Sequence, residues 1–268
     1  MKLTKKLIPA LGMLVLSACM LVTSTFAWFS MNTTVTATNM TVTAKGDQVY
    51  LQIVNEDTPF EPGASQTSAE AKTTTGQLLP TNVYKTFDAT SPTAYDGGAD
   101  IVWVSAVGKK PSKDYQEGGV DKTDGYKPVG EYDNVTTTAV SDNYVLANTF
   151  KIRLDPTAGA ANSSAALKVS TITVTGTSAN KFSQCLSVLV VCTYDGTTQG
   201  DLWNYQGGTF KHDTTTKTTL TTDKLAKNKE ATVVVYVFFN GDNENCTLEE
   251  LADAASESYG VEVTFTCV

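Results

Sequence analysis

The chain has 268 residues and a formal net charge of −8, and 41% of its residues are hydrophobic while 18% are charged. Its 20 Lys and Arg residues are outnumbered by 28 Asp and Glu residues. This balance argues against nucleic-acid binding, which needs clustered basic side chains to neutralise phosphates, and against docking on an anionic lipid surface.

The first 27 residues have the three parts of an export signal. Three lysines precede residue 7, an apolar stretch covers residues 7–22, and Thr25-Phe26-Ala27 offers small residues at positions −3 and −1 for a type I signal peptidase. We expect a signal helix that is cleaved between Ala27 and Trp28. Cleavage removes the three lysines, takes the formal net charge from −8 to −11, and leaves enough chain for one large β domain or two small ones.

Two other outcomes for this leader stay open. Leu16-Ser17-Ala18-Cys19 fits a lipobox with Cys19 as the lipidated residue, although the apolar run continues past the cysteine. Residues 7–29 are also long enough to remain as an uncleaved anchor, although no basic cluster follows Phe29. In all three cases the rest of the chain lies outside the cytoplasmic membrane.

Residues 28–45 are expected to form an exposed N-terminal assembly strand. No charged residue occurs from Trp28 to Ala44, and Thr and Val recur through the segment, so it is strongly β-prone. Its backbone N–H and C=O groups can pair with an open sheet edge while its apolar side chains enter pockets. Those side chains are Phe29, Met31, Val35, Ala37, Met40 and Val42. The alternatives are that the segment pairs within its own domain, or is disordered.

The first half of the remaining chain alternates predicted strands with polar connections. Strands are predicted over residues 48–54, 77–87 and 100–107. Residues 55–80 read as a polar excursion, and residues 108–141 are rich in Gly, Pro and Asp turn signals. We therefore expect residues 55–142 to contain elaborated loops or an insertion.

The second half has clearer strand patterns. Strands are predicted over residues 143–154, 167–174, 184–194, 230–239 and 261–268, with a hairpin over 202–211. The strand at 230–239 is apolar on both faces, which indicates a central strand in a two-layer core. Thr247-Leu248-Glu249-Glu250 is a capping box that predicts one short helix over residues 248–256. The predicted fold is an all-β, jelly-roll-like β-sandwich over residues 46–268 with long polar insertions.

Four cysteines remain after leader removal, namely Cys185, Cys192, Cys246 and Cys267. In an exported chain they permit two disulfides in three pairings, or they are small apolar core residues. Cys185 and Cys192 lie seven apart on one predicted strand, so they are expected on opposite faces and unpaired with each other.

Residues that carry chemistry are scarce. His212 is the only histidine and lies in a polar hairpin, where we expect a surface residue. Neither a Gly-x-Ser-x-Gly elbow nor a His-Glu-x-x-His motif is present, so we expect no catalytic residue, no cofactor and no enzyme activity. Asp242 and Glu244 are weak Ca²⁺ candidates, but the loop lacks EF-hand spacing and a solvated turn is the favoured interpretation.

Two motifs resemble the TasA/camelysin family of exported biofilm-matrix proteins. Thr25-Phe26-Ala27-Trp28-Phe29-Ser30 is similar to the family's T-[WFY]-A-[AYW]-F-[SN] junction, and a lysine-containing leader of similar length precedes it. Residues 233–246 look like the late strand and acidic loop V-x-V-x-W-x-E-G-x-D-x-x-C, with Phe239 and Asn240 where the aromatic residue and glutamate are more usual. Residues 55–142 match nothing in that family.

The resemblance implies processing by a SipW-type signal peptidase, a jelly-roll fold, and polymerisation into extracellular fibres by N-terminal strand donation. The expected partners are other copies of the chain and other matrix proteins, with membrane contact only through the leader. The expected location is extracellular or on the cell surface of a Gram-positive type of cell. The alternative is a monomeric adhesin or carbohydrate-binding module with Trp103, Tyr126, Trp203 and Tyr205 as sugar-contacting aromatics.

Overall fold

The computed structural model is built almost wholly from β-strands. It describes residues 34–36, 41–44, 51–61, 66–72, 75–78, 80–87, 92–105, 110–111, 116–117, 120–121, 126–127, 134–135, 144–154, 166–175, 181–222, 224–226, 229–243, 245–246 and 259–267. The leader, the cleavage junction Ala27–Trp28 and the predicted helix at 248–256 lie outside these residues.

Thirteen strands precede the clearest part of the fold. They are β1 (Thr34–Thr36), β2 (Thr41–Ala44), β3 (Leu51–Asn55), β4 (Ser68–Glu70), β5 (Thr75–Gln77), β6 (Thr81–Thr86), β7 (Thr93–Ala94), β8 (Val102–Ser105), β9 (Lys110–Pro111), β10 (Gln116–Glu117), β11 (Val120–Asp121), β12 (Tyr126–Lys127) and β13 (Asn134–Val135).

Seven strands follow, and most of them are longer. They are β14 (Leu146–Leu154), β15 (Leu167–Thr175), β16 (Leu186–Tyr194), β17 (Thr197–Gln206), β18 (Thr209–His212), β19 (Glu230–Phe239) and β20 (Gly260–Cys267). A 3₁₀ turn at Lys181–Cys185 is the helical element within the described ranges. None of these residues lies in a helix long and apolar enough to cross a bilayer.

Three sheets build the body of the molecule, which clusters as one compact unit over Thr33–Val268. A six-stranded sheet has the order β18-β17-β16-β19-β14-β3, and a four-stranded sheet has the order β15-β20-β2-β4. A second four-stranded sheet has the order β13-β8-β6-β7. The pairs β1–β5, β10–β11 and β9–β12 stand apart from these sheets as two-stranded pairs.

The strand β14 shows why the sequence folds this way. Its residues alternate strictly between buried and half-buried, with Leu146, Phe150, Ile152 and Leu154 among the buried ones. This period of two is the one that the sequence predicted for residues 143–154. The strand therefore presents one apolar face to the main core.

The six-stranded sheet is covered on both faces. One face of β16 and β19, including Val190 and Val235, packs in the main core with side chains of the β15-β20-β2-β4 sheet. The other face, including Leu189 and Phe238, packs with Val83 and Trp103 of the β13-β8-β6-β7 sheet. The all-β sandwich is confirmed, but the two-layer expectation is wrong, because a third layer covers the outer face. Its jelly-roll form stays a prediction.

The third layer comes from the stretch expected to hold loops or an insertion. Its strands β6 and β8 match the strand predictions at 77–87 and 100–107. The layer is also tied to the loop after β19, because Gly241 N donates to Thr81 O at 2.8 Å. The strand β19 is apolar on both faces because each face has its own cover.

A close approach joins Tyr95 to the central sheet at Gly200. The Tyr95 hydroxyl donates to Gly98 O at 2.8 Å, and Gly200 N donates to Gly97 O at 2.9 Å. A Cβ placed on Gly200 would lie 2.0 Å from the Tyr95 hydroxyl oxygen. Only glycine at this position lets the buried tyrosine ring lie against β17.

We expect Gly200→Ala to lower the free energy of unfolding by about 1–3 kcal/mol, because the added methyl group displaces Tyr95. Urea unfolding measures the change. Adding Tyr95→Phe to the Gly200→Ala chain should recover part of the loss, since it removes the hydroxyl group nearest the new methyl. Equal losses with and without Tyr95→Phe would show that this contact is not the cause.

Candidate assembly interface

The described part of the N-terminal segment is β-strand. Antiparallel pairing joins β1 to β5 over three residue pairs, centred on Val35 opposite Gly76. The strand β2 lies inside a sheet, parallel to β20 and antiparallel to β4, with Val42 opposite Val263 and Ala69. Pairing within the chain was one of the alternatives from the sequence, and both Val35 and Val42 follow it. Phe29, Met31, Ala37 and Met40 lie outside the described residues.

The two halves of the segment are held to different degrees. An isolated two-stranded pair such as β1–β5 is only marginally stable in water. In contrast, β2 has hydrogen-bonded neighbours on both sides. The pairing β2–β20 is also the one parallel strand pair among the strands that the structure describes. Among the described residues, β1 therefore has one hydrogen-bonded neighbour and β2 has two.

One side of the sandwich ends in a groove between two sheet ends. The strand β15 is the end strand of its sheet, and β18 is the end strand of the six-stranded sheet. Between them lies an open groove of about 400 Å³, lined by Ser170, Thr171, Ile172, Thr173, Val174, Trp203, Tyr205, Gly208, Thr209 and Phe210. Five consecutive residues of β15 line it, although alternate side chains of a strand point to opposite faces. The groove therefore follows the backbone edge of β15.

The lining of this groove is uncharged. Ser170, Thr171 and Thr173 are exposed hydroxyl residues, while Tyr205 and Phe210 are buried below them. The two rings contact edge to face with centroids 5.3 Å apart. The surface combines an aromatic floor with an unblocked strand edge, which suits an extended, uncharged peptide.

The aromatic residues expected to contact sugars in the alternative function differ in where they lie. Trp203 and Tyr205 line the groove, but Trp103 is only 4% exposed and packs against Tyr236 and Phe238 with centroids 5.4 and 5.0 Å away. Trp103 as a sugar platform is therefore wrong, because its ring belongs to the core of the third layer. The side chain of Tyr126 lies outside the described residues.

Beside the groove lies a polar pair formed by His212 and Asp201, and the expectation that His212 is a surface residue is wrong because its side chain is half-buried. His212 Nε2 is 3.1 Å from Asp201 Oδ1, and their side chains are 22% and 1% exposed. The His212 ring also meets Trp203 edge to face at 5.8 Å. The hairpin register, which sets Trp203 opposite His212, makes this contact possible. The hairpin predicted over residues 202–211 was the signal for this pairing that the sequence contained.

Burial is the largest influence on the pKa of the Asp201 carboxyl group. It raises the pKa of Asp201 to about 6, while the Trp203 side chain and His212 act in the opposite direction. A carboxyl group this far from water is costly to ionise, so the neutral form is favoured. The pair links β17 to β18 at the rim of the groove.

The acidic loop after β19 is structural. Asp242 accepts hydrogen bonds from Asn82 Nδ2 and from the Tyr84 hydroxyl, and its backbone N–H donates to Asn240 Oδ1 at 2.9 Å. Its carboxylate therefore anchors the loop to β6, and the expectation of a solvated turn is wrong for this residue. Glu244 lies outside the described residues. Within those ranges, no group of three or more His, Cys, Asp or Glu could hold a metal ion.

The four cysteines that follow the leader lie in the described part of the chain, where no disulfide joins them. Cys185, Cys192 and Cys246 are buried and Cys267 is half-buried. Burial raises the pKa of both Cys192 and Cys267 to about 12. The expectation that Cys185 and Cys192 face opposite ways is wrong, because Cys185 ends the 3₁₀ turn ahead of β16. Both side chains belong to the main core.

No family model, curated protein or solved structure matches the chain. The resemblance to the TasA/camelysin family therefore rests on the two short motifs alone and stays a prediction.

We expect Asp201→Asn to change how stability depends on pH. Burial raises the pKa of Asp201 in the folded chain to about 6, above the ordinary value of 3.8, so the folded chain binds this proton more tightly than the unfolded chain. The stabilisation is complete below about pH 4 and is lost as the pH rises through 6. As the pH rises from 4 to 8, the free energy of unfolding of Asp201→Asn should therefore increase by about 1–3 kcal/mol relative to that of the wild type.

Urea unfolding across that pH range makes the measurement. Asp195→Asn is the matched control, because Asp195 is exposed and pairs with Lys229 at 2.8 Å on the surface. A pH-independent difference between Asp201→Asn and the wild type would contradict the assigned pKa of Asp201.

Proposed function

We propose that this protein is a secreted structural subunit that polymerises into extracellular fibres by lending its N-terminal segment to the next copy. The observation that carries the proposal is the contrast between the weak β1–β5 pairing and the firmly held β2. A segment that is β-competent, uncharged and lightly held can leave its own copy without unfolding the sandwich.

The charge distribution favours contact through this segment. After leader removal the formal net charge becomes −11, so two copies repel one another over most of their surfaces. Residues 28–44 carry no charge and so approach another copy without that penalty. Backbone hydrogen bonds then supply an attraction that needs no charge complementarity.

The energy balance allows exchange. Transfer of Phe29, Met31, Val35 and Ala37 into pockets contributes roughly 1–3 kcal/mol for each side chain. Release of β1 costs a few backbone hydrogen bonds at about 0.5–1.5 kcal/mol each. Association entropy offsets several kcal/mol more. The balance favours exchange only when most of the apolar side chains reach pockets in the acceptor.

Removal of residues 28–39 tests the proposal. Protein that begins at Trp28 should form filaments in negative-stain electron microscopy, whereas protein that begins at Met40 should stay monomeric by light scattering. Both keep β2, so their melting temperatures should agree closely. Val35→Ser and Val35→Lys in the longer protein form a matched pair, and only the lysine should suppress filaments because its charge resists burial. Filaments from the protein that begins at Met40 would refute strand donation.

A further inference from the structure

We propose that the groove along β15 is the acceptor, and that residues 28–39 of a second copy add to the sheet as a strand beside β15. This inference rests on the fibre function proposed above and identifies the surface that receives the strand. The occupant is the uncharged segment that precedes β2.

The edge of β15 is long, and little of it is paired by the part of the chain that the structure describes. The strand has nine residues, and among the described strands it pairs with β20 alone. On its other side, the described hydrogen bonds are confined to the first residue, where Leu220 N donates to Leu167 O at 2.7 Å and Leu167 N donates to Thr221 Oγ1 at 3.0 Å. The groove runs along the residues that follow, whose backbone N–H and C=O groups can pair with an added strand.

The sequence of this edge lacks two common protections against added strands. Exposed edge strands often carry a charge or a proline. After Lys168, β15 continues as Val-Ser-Thr-Ile-Thr-Val-Thr with neither charge nor proline. By contrast, the end strand β18 has four residues and includes Lys211, and β4 has three residues. A strand edge of this length without charge or proline indicates a surface that pairs with another strand.

The groove and the donated segment match in two ways, namely in their lack of charge and in the alternation of apolar side chains along the segment. Neither the ten lining residues nor residues 28–44 include a charged side chain. In an added strand, alternate side chains point to the same face, so Val35 and Ala37 would share one face and Thr34 and Thr36 the other. The apolar face would rest on the floor of Trp203, Tyr205 and Phe210. Five paired residues would span about 17 Å.

The donor is a second copy and not the same chain. The first described part of the segment, β1, is paired with β5, and β2 is separated from β15 by β20. In a second copy, release of β1 leaves residues 28–39 available while β2 stays in place. Each copy then has one strand to give and one groove to fill, and this head-to-tail arrangement propagates as a filament.

Two lysine variants test the site in protein that begins at Trp28. Thr171 on β15 lies opposite Thr264 on the inner strand β20, so both residues share the outer face of one sheet. Thr171→Lys places a charge on the edge and should reduce filament mass at least about tenfold, whereas Thr264→Lys should leave it within about twofold. Circular dichroism melting checks that both variants fold. Equal filament mass for the two variants would overturn the inference.

Photocrosslinking locates the occupant. With benzoylphenylalanine at position 171 and a mixture of ¹⁴N- and ¹⁵N-labelled copies, mass spectrometry should find the photoprobe peptide joined to residues 28–39 of the other copy. Crosslinks to residues 28–39 of the same copy, or to residues 167–175 of the other copy, would overturn the assignment of the acceptor. If filaments form and the crosslinks lie elsewhere, only the acceptor is wrong. If protein that begins at Trp28 forms no filaments, the fibre function itself fails.

Discussion

The structure depends on the burial of both faces of the β16–β19 pair. Val190 and Val235 lie opposite each other in the register and enter the main core, while Leu189 and Phe238 enter the second core. Complete burial of an aliphatic side chain contributes about 1.5–3 kcal/mol, so this pair is a large share of the stability. A sheet with two apolar faces requires two covering layers. The positions of both four-stranded sheets follow from that requirement.

With the apolar side chains committed to the centre, the periphery is left to polar and charged residues, such as the exposed pair Lys229–Asp195. The four-stranded sheet that covers the main core ends in β15 on one side of the sandwich and in β4 on the other. At the β4 side, Ile53 N donates to Gln66 O at 2.7 Å and joins the two sheets. At the β15 side, a groove separates the sheet ends. The two sides of the sandwich therefore differ, because one is joined by this hydrogen bond and the other ends in an open groove.

Much of this fold could be predicted from the pattern of single strands. The alternation in β14 and the double-sided apolar run in β19 each reflect local burial, so the sequence contains them directly. The third layer could not be predicted, because an apolar face does not say which distant segment covers it. The pairing of Asp201 with His212 also escaped prediction, although the hairpin register implied it. Whether the strand at 167–174 lies inside a sheet or at its edge is decided by long-range topology alone.

The parallel contact between β2 and β20 has a consequence for the order of folding. Thr41 lies opposite Glu262, so one edge of a strand near the start of the chain stays open until the last described strand has formed. Contacts between residues so distant in sequence form slowly, because the entropy cost of closing a long loop comes before the pairing can contribute any stabilisation. The β15-β20-β2-β4 sheet is therefore completed only at the end of synthesis, when its last strand is available. Until then β2 has β4 as its one hydrogen-bonded neighbour in this sheet.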